Sequence, residues 1–178
     1  RADPRVPRVP QFLHVAGRSP LKGTARLVSL WMRHPEWPTL TLVQDASMPA
    51  IVTPGPLAGA NLAMCRGYMS DEALREMQNA HRFHVCTSEA EGWGHYIVEA
   101  MSVGAGTLTC DAAPMNELIT PGRGLTVAVR PGGVHNLAQL ALFDEAALEW
   151  AVGRAVALSP EELESIGRAA RSWFLQNK

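Results

Sequence analysis

Short apolar runs alternate with segments of helical spacing along most of the chain. Six runs, each bounded by glycine, proline or polar residues, have the length of buried strands. They predict β-strands at 12–16, 39–43, 62–68, 83–88, 107–110 and 125–129, the last of these being the final strand of the sheet. The proline- and glycine-rich segment 46–61 predicts an irregular surface loop.

Helices are predicted by apolar spacing and by their capping residues. Leu27, Leu30 and Trp31 share one helical face, and the helix that carries them ends before Pro35. Ser70 is the predicted N-cap of a second helix, whose first turn is acidic.

The C-terminal third of the chain is predicted to be helical. Ser159, Pro160 and Glu162 form a capping box at the start of its last helix, which runs to about Phe174.

Repeated strand–helix alternation predicts an α/β fold, a Rossmann-like three-layer sandwich with a mostly parallel sheet of about six strands. Ligands of such sheets bind beyond the carboxyl ends of the strands, which selects the loops after Ala16, Cys65, Cys86 and Cys110. We expect one domain, 12–178, preceded by a linker, 1–11, that alternates proline with arginine and valine.

Composition narrows the class of protein. With 47% hydrophobic residues, 19% charged residues and a formal charge of −1, the chain has a globular composition and no basic surface for nucleic acid. It contains no apolar run long enough for a transmembrane segment. Three scattered cysteines match no zinc spacing and predict buried, reduced thiols in a cytoplasmic protein.

The segment EGWGHYIVE at 91–99 follows a predicted strand and opens a helix. Gly92 and Gly94 permit a sharp turn and a close approach of the backbone to a ligand. The N–H groups at the start of that helix favour anions and polar oxygens. Glu99, in the second turn, suits the two hydroxyls of a ribose, and Glu91 suits the hydroxyls of a second ring.

These residues resemble a known family. Segment 91–99 with the EAMSVGA that overlaps it is similar to the Glu-x7-Glu signature of retaining glycosyltransferases of family 4. Segments 14–23, 65–92 and 110–119 also follow the order of that family, so the resemblance covers roughly 12–130. Departures are His95, where the family usually has an apolar residue, and Gly106, where it commonly has proline.

The resemblance implies a GT-B fold, in which two Rossmann-like halves face a cleft. This chain is similar to the C-terminal half, which binds the donor. The implied partners are a nucleotide-diphosphate-sugar of unspecified base and an acceptor, bound by an N-terminal domain that this chain lacks. The family needs no cofactor and no metal, and any membrane contact is expected through the missing domain.

The family pattern also implies roles for individual residues. Arg18 and Lys22 correspond to cations that clamp the diphosphate, and Glu99 corresponds to the carboxylate that binds the ribose. Glu91 is the candidate catalytic residue and holds the donor sugar, together with the backbone of Gly92, Trp93 and Gly94. A loop of three residues borders the base: Gly67, Tyr68 and Met69. No protein nucleophile is implied, because the family transfers the sugar from the front face with retention.

Other interpretations remain open at this point. The four charged candidates also fit ordinary surface charges, Trp93 fits a packing residue, and His14 fits a buried histidine with satisfied hydrogen bonds. A nucleotide-sugar epimerase of the same architecture is one alternative function. A non-catalytic nucleotide-binding module is another. The isolated domain is expected to bind the donor and to turn over poorly.

Overall fold

A computed structural model describes residues 2–51 and 61–177. Its centre is a six-stranded parallel sheet with the strand order β3-β2-β1-β4-β5-β6. The strands are β1 (Val9–Gly17), β2 (Leu40–Gln44), β3 (Leu62–Arg66), β4 (His81–Cys86), β5 (Gly106–Cys110) and β6 (Leu125–Val127). Each is parallel to its neighbours, which confirms the predicted three-layer α/β class.

The helices surround this sheet. They are α1 (Thr24–Met32), α2 (Asp71–Ala80), α3 (His95–Val103), α4 (Met115–Leu118), α5 (Glu145–Val156) and α6 (Pro160–Asn177), and a single 3-10 turn, Pro20–Lys22, precedes α1. Both predicted N-caps are present. The hydroxyl of Ser70 accepts from the amide of Ala73, and Ser159 and Glu162 exchange hydrogen bonds in a capping box. No helix in the described part of the chain is long and apolar enough to cross a membrane.

Aromatic packing marks the middle of the core. The ring of Phe12 stacks on that of Phe83, with centroids 4.8 Å apart, and meets Trp31 edge-on at 5.0 Å. The indole N–H of Trp31 donates to the carbonyl of Pro38, so this buried polar group is satisfied. These contacts join β1, β4 and α1, the elements that carry the loops discussed below.

The sequence prediction was wrong about the region after β6. The expected final strand, 125–129, ends at Val127, and the expected helical C-terminal third instead begins with an antiparallel hairpin of β7 (Val129–His135) and β8 (Ala138–Phe143). Its turn contains Asn136 with a φ of 54°. The Pro-Gly-Gly within β7 hides the alternation of a strand, which explains the error.

The first strand begins earlier than predicted. β1 begins at Val9, inside the segment predicted as a linker. Before it, the amide of Ala2 donates to the carbonyl of Ser102, and the amide of Asp3 donates to the side chain of Asn79. This segment therefore lies against α2 and α3, and its role between two domains stays a prediction. Most of the predicted surface loop at 46–61 lies outside the described residues.

Helix α6 crosses α3 with its backbone in near contact. A Cβ added at Gly167 would lie 2.5 Å from the carbonyl oxygen of Gly104, whereas a Cβ at Gly153 in α5 would meet nothing within 4 Å. The first glycine is therefore required by packing, and the second is not.

We expect Gly167→Ala to lower the free energy of unfolding by about 1–3 kcal/mol, because the methyl group forces the two helices apart. Gly153→Ala is the matched control and should raise it by about 0.4–1 kcal/mol through its effect on the unfolded chain. Chemical denaturation of both variants measures the difference. Equal effects of the same sign would contradict the close crossing.

Candidate functional site

Two loops meet where the sheet reverses its direction of winding. β1 and β4 are adjacent strands but not consecutive ones, so the loops that follow them diverge around a crevice. The hydroxyl of Thr87 donates to the carbonyl of Lys22 at 3.0 Å, and the amide of Glu89 donates to the carbonyl of Leu21 at 2.8 Å. A Cβ at Gly23 would lie 2.6 Å from the Thr87 carbonyl oxygen, so this approach requires glycine.

Lys22 and Glu91 form an ion pair across this contact. Their side chains are only 14% and 13% exposed. The ammonium of Lys22 also lies over the ring of Tyr96, 3.6 Å from its centroid. Two of the residues singled out from the sequence are therefore brought together, 69 positions apart along the chain.

A hydrogen-bond chain behind this pair fixes the carboxylate. The hydroxyl of Ser88 donates to Oε1 of Glu91 at 2.6 Å, and the phenol oxygen of Tyr96 lies 2.6 Å from the same hydroxyl. The Tyr96 oxygen also accepts from the amide of Ser88 at 3.0 Å. Burial raises the pKa of Tyr96 well above its ordinary value, so the phenol keeps its proton and donates to Ser88.

The two carboxylate oxygens of Glu91 differ in their contacts. Lys22 and Ser88 both bind Oε1, and Oε2 has no hydrogen-bond partner among the described residues. Sequence reasoning found Lys22 and Glu91 but missed Ser88 and Tyr96. The spacing of eight between those two could have suggested a contact across the loop, but nothing in it distinguishes them from other polar residues.

The glycine turn before α3 has the form that the sequence predicted. Gly94 is the N-cap of α3 in the left-handed region, with a φ of 89°, and a Cβ there would lie 2.9 Å from the side chain of Leu118. Within the described part of the chain, the amides of Trp93, Gly94 and His95 have no hydrogen-bond acceptor. Gly92 faces open space, and Trp93 is 52% exposed.

Glu99 lies on a different part of the same helix. Its Oε2 accepts from the side-chain amide of Gln78 at 2.8 Å, which ties α3 to α2. The carboxylate borders a cavity of about 420 Å³, lined also by Asp71 and His95. Gln78 fixes one oxygen of Glu99 but was not identified from the sequence, because the two residues are 21 positions apart.

Arg18 does not join the Lys22–Glu91 pair. Its side chain is 78% exposed, and Nε binds Oδ2 of Asp45 at 3.0 Å, in the loop after β2. Hydrogen bonds from Ser47, followed by the one from Arg18, lower the pKa of Asp45 to about 2. Arg18 and Lys22 therefore share no partner among the described residues.

The loop after β3 lies at the same end of the sheet. The amide of Gly67 donates to the carbonyl of Gln44 at 3.1 Å, with a φ of 130° at the glycine. Tyr68 is 91% exposed, and Met69 is partly buried. No described contact connects these three residues to Glu91 or Glu99, so their role at a base stays a prediction.

The β7–β8 hairpin, which the sequence did not predict, supports the loop that carries Glu91. The amide of Ala141 in β8 donates to the carbonyl of Glu89 at 2.7 Å. Burial raises the pKa of the Glu89 carboxyl, and the nearby Arg26 opposes this shift. The loop is thus held by hydrogen bonds on both sides, from the loop after β1 and from the hairpin.

Comparison with known proteins finds no matching family model and no matching curated sequence. Solved structures do match in fold. A glycosyltransferase from Rickettsia africae ESF-5 aligns with a TM-score of 0.72 and 17% identity, covering 95% of this chain and 43% of that one. The C-terminal domain of a group 1 glycosyltransferase, LpcC of Francisella tularensis, aligns at 0.65 and 14% identity, covering 98% and 88%.

A third match has a sugar nucleotide bound. HepE of Anabaena in complex with UDP-glucose aligns at a TM-score of 0.67 and 19% identity, over 94% of this chain and 44% of HepE. The fold is therefore that of the C-terminal, Rossmann-like half of GT-B glycosyltransferases. The chain spans less than half the length of the Rickettsia and Anabaena proteins.

The first prediction from this geometry concerns the ion pair. Lys22→Met and Glu91→Gln should each lower the free energy of unfolding. The double variant should lose less free energy of unfolding than the two single variants together, and the difference, the coupling energy, should be about 1–3 kcal/mol. The reason is that each single change leaves a buried polar group without its partner. Thermal or chemical unfolding of the four proteins measures this coupling.

The pair of Arg18 and Asp45 supplies the control, because the Arg18 side chain is 78% exposed. The same cycle with Arg18→Met and Asp45→Asn should give less than about 1 kcal/mol, because solvent screens that pair. Equal coupling in the two cycles would contradict the buried position of Lys22 and Glu91.

A second prediction concerns His14, which lies beneath the site with its two ring nitrogens hydrogen-bonded to the carbonyl of Val85 and the hydroxyl of Thr24. Burial lowers its pKa to about 4. As the pH falls below about 6.5, the unfolded chain binds a proton that folded His14 does not bind until about pH 4. Stability is therefore lost as the pH falls through this window.

From pH 7 to pH 5 the loss due to His14 should be about 2 kcal/mol. Between pH 7 and pH 5, the free energy of unfolding of His14→Asn should therefore fall by about 2 kcal/mol less than that of the wild type. Urea unfolding at the two pH values measures this difference. Thr24→Val, which leaves the buried imidazole in place, should keep the full loss. A His14→Asn protein with the same pH dependence as the wild type would remove His14 as its cause.

Proposed function

We propose that this chain is the donor-binding half of a retaining glycosyltransferase, which transfers a sugar from a nucleotide-diphosphate-sugar to an acceptor. The buried Lys22–Glu91 pair beside the open amides at the start of α3 carries this proposal. A cation, a carboxylate and free N–H groups thus lie in one crevice at the carboxyl end of the sheet, where such folds bind nucleotides. The resemblance to family 4 and the UDP-glucose complex of a protein with the same fold support it.

The diphosphate is assigned to Lys22, Arg18 and the free amides before α3. Lys22 contacts a carboxylate and an aromatic face in the structure, and a diphosphate would share its ammonium. Arg18 is held to Asp45 through Nε, and its terminal nitrogens have no described partner. These donors would stabilise the negative charge that develops on the leaving nucleoside diphosphate.

The sugar is assigned to Glu91, and the ribose to Glu99. Each carboxylate has one oxygen fixed by the protein, Oε1 of Glu91 by Ser88 and Oε2 of Glu99 by Gln78. The remaining oxygen of each is free to accept hydrogen bonds from ligand hydroxyls. Fixing one oxygen removes the rotational freedom that a ligand would otherwise have to restrict, which favours binding.

In the transfer, the bond from the anomeric carbon to the diphosphate oxygen breaks, and a bond from the same carbon to an acceptor hydroxyl forms. The hydroxyl proton goes to the departing diphosphate, so the sugar keeps its anomeric configuration when attack comes from the same face. Glu91 orients the sugar in this scheme and does not bond to it. The acceptor is assigned to a second domain, in keeping with relatives in fold that are more than twice as long.

The free thiols of the chain bear on its compartment. Cys86 and Cys110 are buried and unpaired, and burial raises the pKa of Cys110 to about 12, which keeps its sulfur protonated. Unpaired cysteines are usual in reducing compartments, and we therefore assign the chain to the cytoplasm.

Nucleotide binding tests the proposal. In a thermal-shift panel of the chain with UDP, GDP, ADP and their sugars, one nucleotide at about 100 times its dissociation constant should stabilise by roughly 2.7 kcal/mol. Lys22→Met should weaken the binding of that nucleotide by about 1.5–3 kcal/mol, because it removes a charged hydrogen-bond donor. Arg33→Met is the control and should leave the affinity unchanged, because Arg33 is an exposed cation just after α1 that pairs with Glu145.

Glu99 gives a second, more specific readout. The wild type should prefer the ribonucleotide over its 2′,3′-dideoxy analogue, and Glu99→Gln should reduce that preference. If no nucleotide in the panel binds, or if Lys22→Met and Arg33→Met change the affinity alike, the crevice is not the nucleotide-binding site.

A further inference from the structure

A second cavity lies at the opposite end of the sheet from Glu91. It has a volume of about 320 Å³. Arg8 immediately precedes β1, Arg82 is the second residue of β4, and Gly104 precedes β5, so the cavity borders the amino ends of three adjacent strands. Five residue steps along β4, from Arg82 to Thr87, correspond to roughly 16 Å. A small molecule in this cavity therefore does not reach the Lys22–Glu91 pair.

One wall of the cavity is fixed by the helix crossing described above. Gly104 at the end of α3 and Gly167 in α6 bring the two backbones together, and both residues line the cavity. Val103, Pro160 and Leu163 add an apolar surface. The cavity is thus built from packed helices and strand ends and does not lie on a loose loop.

The charges around it are strongly unbalanced. Four arginines line the cavity, Arg8, Arg82, Arg168 and Arg171, against one carboxylate, that of Glu164. Glu164 is paired with Arg168 at 2.5 Å. Arg82 and Arg171 have no ion-pair partner among the described residues, so two guanidinium groups remain without a counter-charge.

Arg8 is held at the end of α3. Its guanidinium donates to the carbonyls of Val103 and Gly104, at 2.8 Å for the latter, and so caps the helix. Burial lowers the pKa of Arg8, and the positive charges of Arg82 and Arg171 lower it further. The three cations therefore repel one another across the cavity, and an anion placed among them would remove that repulsion.

We propose that this cavity binds a small phosphorylated molecule, with the phosphoryl group between Arg82 and Arg171 and the remainder against the apolar wall. Guanidinium groups match the oxygens of phosphate in pairs, which favours phosphate over smaller anions. The volume lies within the range of small-molecule sites.

Titration of the 178-residue chain with inorganic pyrophosphate, at constant ionic strength in chloride, tests this site. Amide NMR signals separate it from the proposed donor site, because Gly104 and Gly167 report the arginine cavity and Gly92 and Gly94 report the turn before α3. We expect saturable shifts at Gly104 and Gly167. The double change Arg82→Gln with Arg171→Gln should raise the dissociation constant measured from these signals at least tenfold.

The control variant removes equal charge elsewhere. Arg33→Gln with Arg130→Gln alters two exposed, ion-paired arginines and should leave the constant within twofold. Arg8 is left unchanged because it caps α3. Without pyrophosphate, the Arg82/Arg171 double variant should unfold at the same temperature as the wild type or higher, since repulsion is relieved.

Three results would overturn the proposal. One is the absence of saturable shifts at Gly104 and Gly167 up to about 10 mM pyrophosphate, which is well above a dissociation constant of about 1 mM. Another is binding that the Arg82/Arg171 change does not weaken. The third is binding to vesicles of anionic lipid without binding to pyrophosphate, which would assign the arginines to a membrane surface. None of these results depends on whether the crevice at Glu91 binds a nucleotide.

Discussion

The contact between the loops after β1 and β4 determines the arrangement of everything at the carboxyl end of the sheet. Parallel strands on either side of a reversal point send their chains in opposite directions, and the loops normally leave a crevice between them. Here the crevice is bridged at its base by the Thr87 hydroxyl and the Glu89 amide, and it closes this far only because Gly23 has no side chain. That contact brings Lys22 to Glu91 and keeps both from water.

The ion pair has a cost that the surrounding residues offset. Removing a carboxylate and an ammonium from water is unfavourable unless their remaining hydrogen-bond positions are filled. The ring of Tyr96 receives the ammonium and its phenol orients Ser88, which in turn binds Oε1 of Glu91. Among the described residues, only Oε2 of Glu91 has no partner, which leaves one acceptor position open at the crevice.

The sequence predicted those parts of the structure that depend on neighbours along the chain. Caps such as Ser70 and Ser159, the helix after Gly94 and the parallel strands all follow from local spacing, and the structure has them. The pairing of Lys22 with Glu91 was not predicted, because it joins loops 69 positions apart, and Gln78 was missed because its contact with Glu99 joins two separate helices. The hairpin after β6 was missed because its glycines and proline interrupt the alternation on which strand prediction depends.

Close contacts at glycine residues occur at both ends of the sheet, beside the Glu91 crevice and beside the arginine cavity. At the carboxyl end, Gly23 lets its loop approach the backbone of Thr87, and Gly94 leaves room for the side chain of Leu118 beside amides that have no acceptor among the described residues. At the amino end, Gly104 and Gly167 let the backbones of α3 and α6 approach, and there four of the five charged side chains that line the cavity are arginines. Because α3 begins at the crevice and ends at the arginine cavity, the same helix forms part of both.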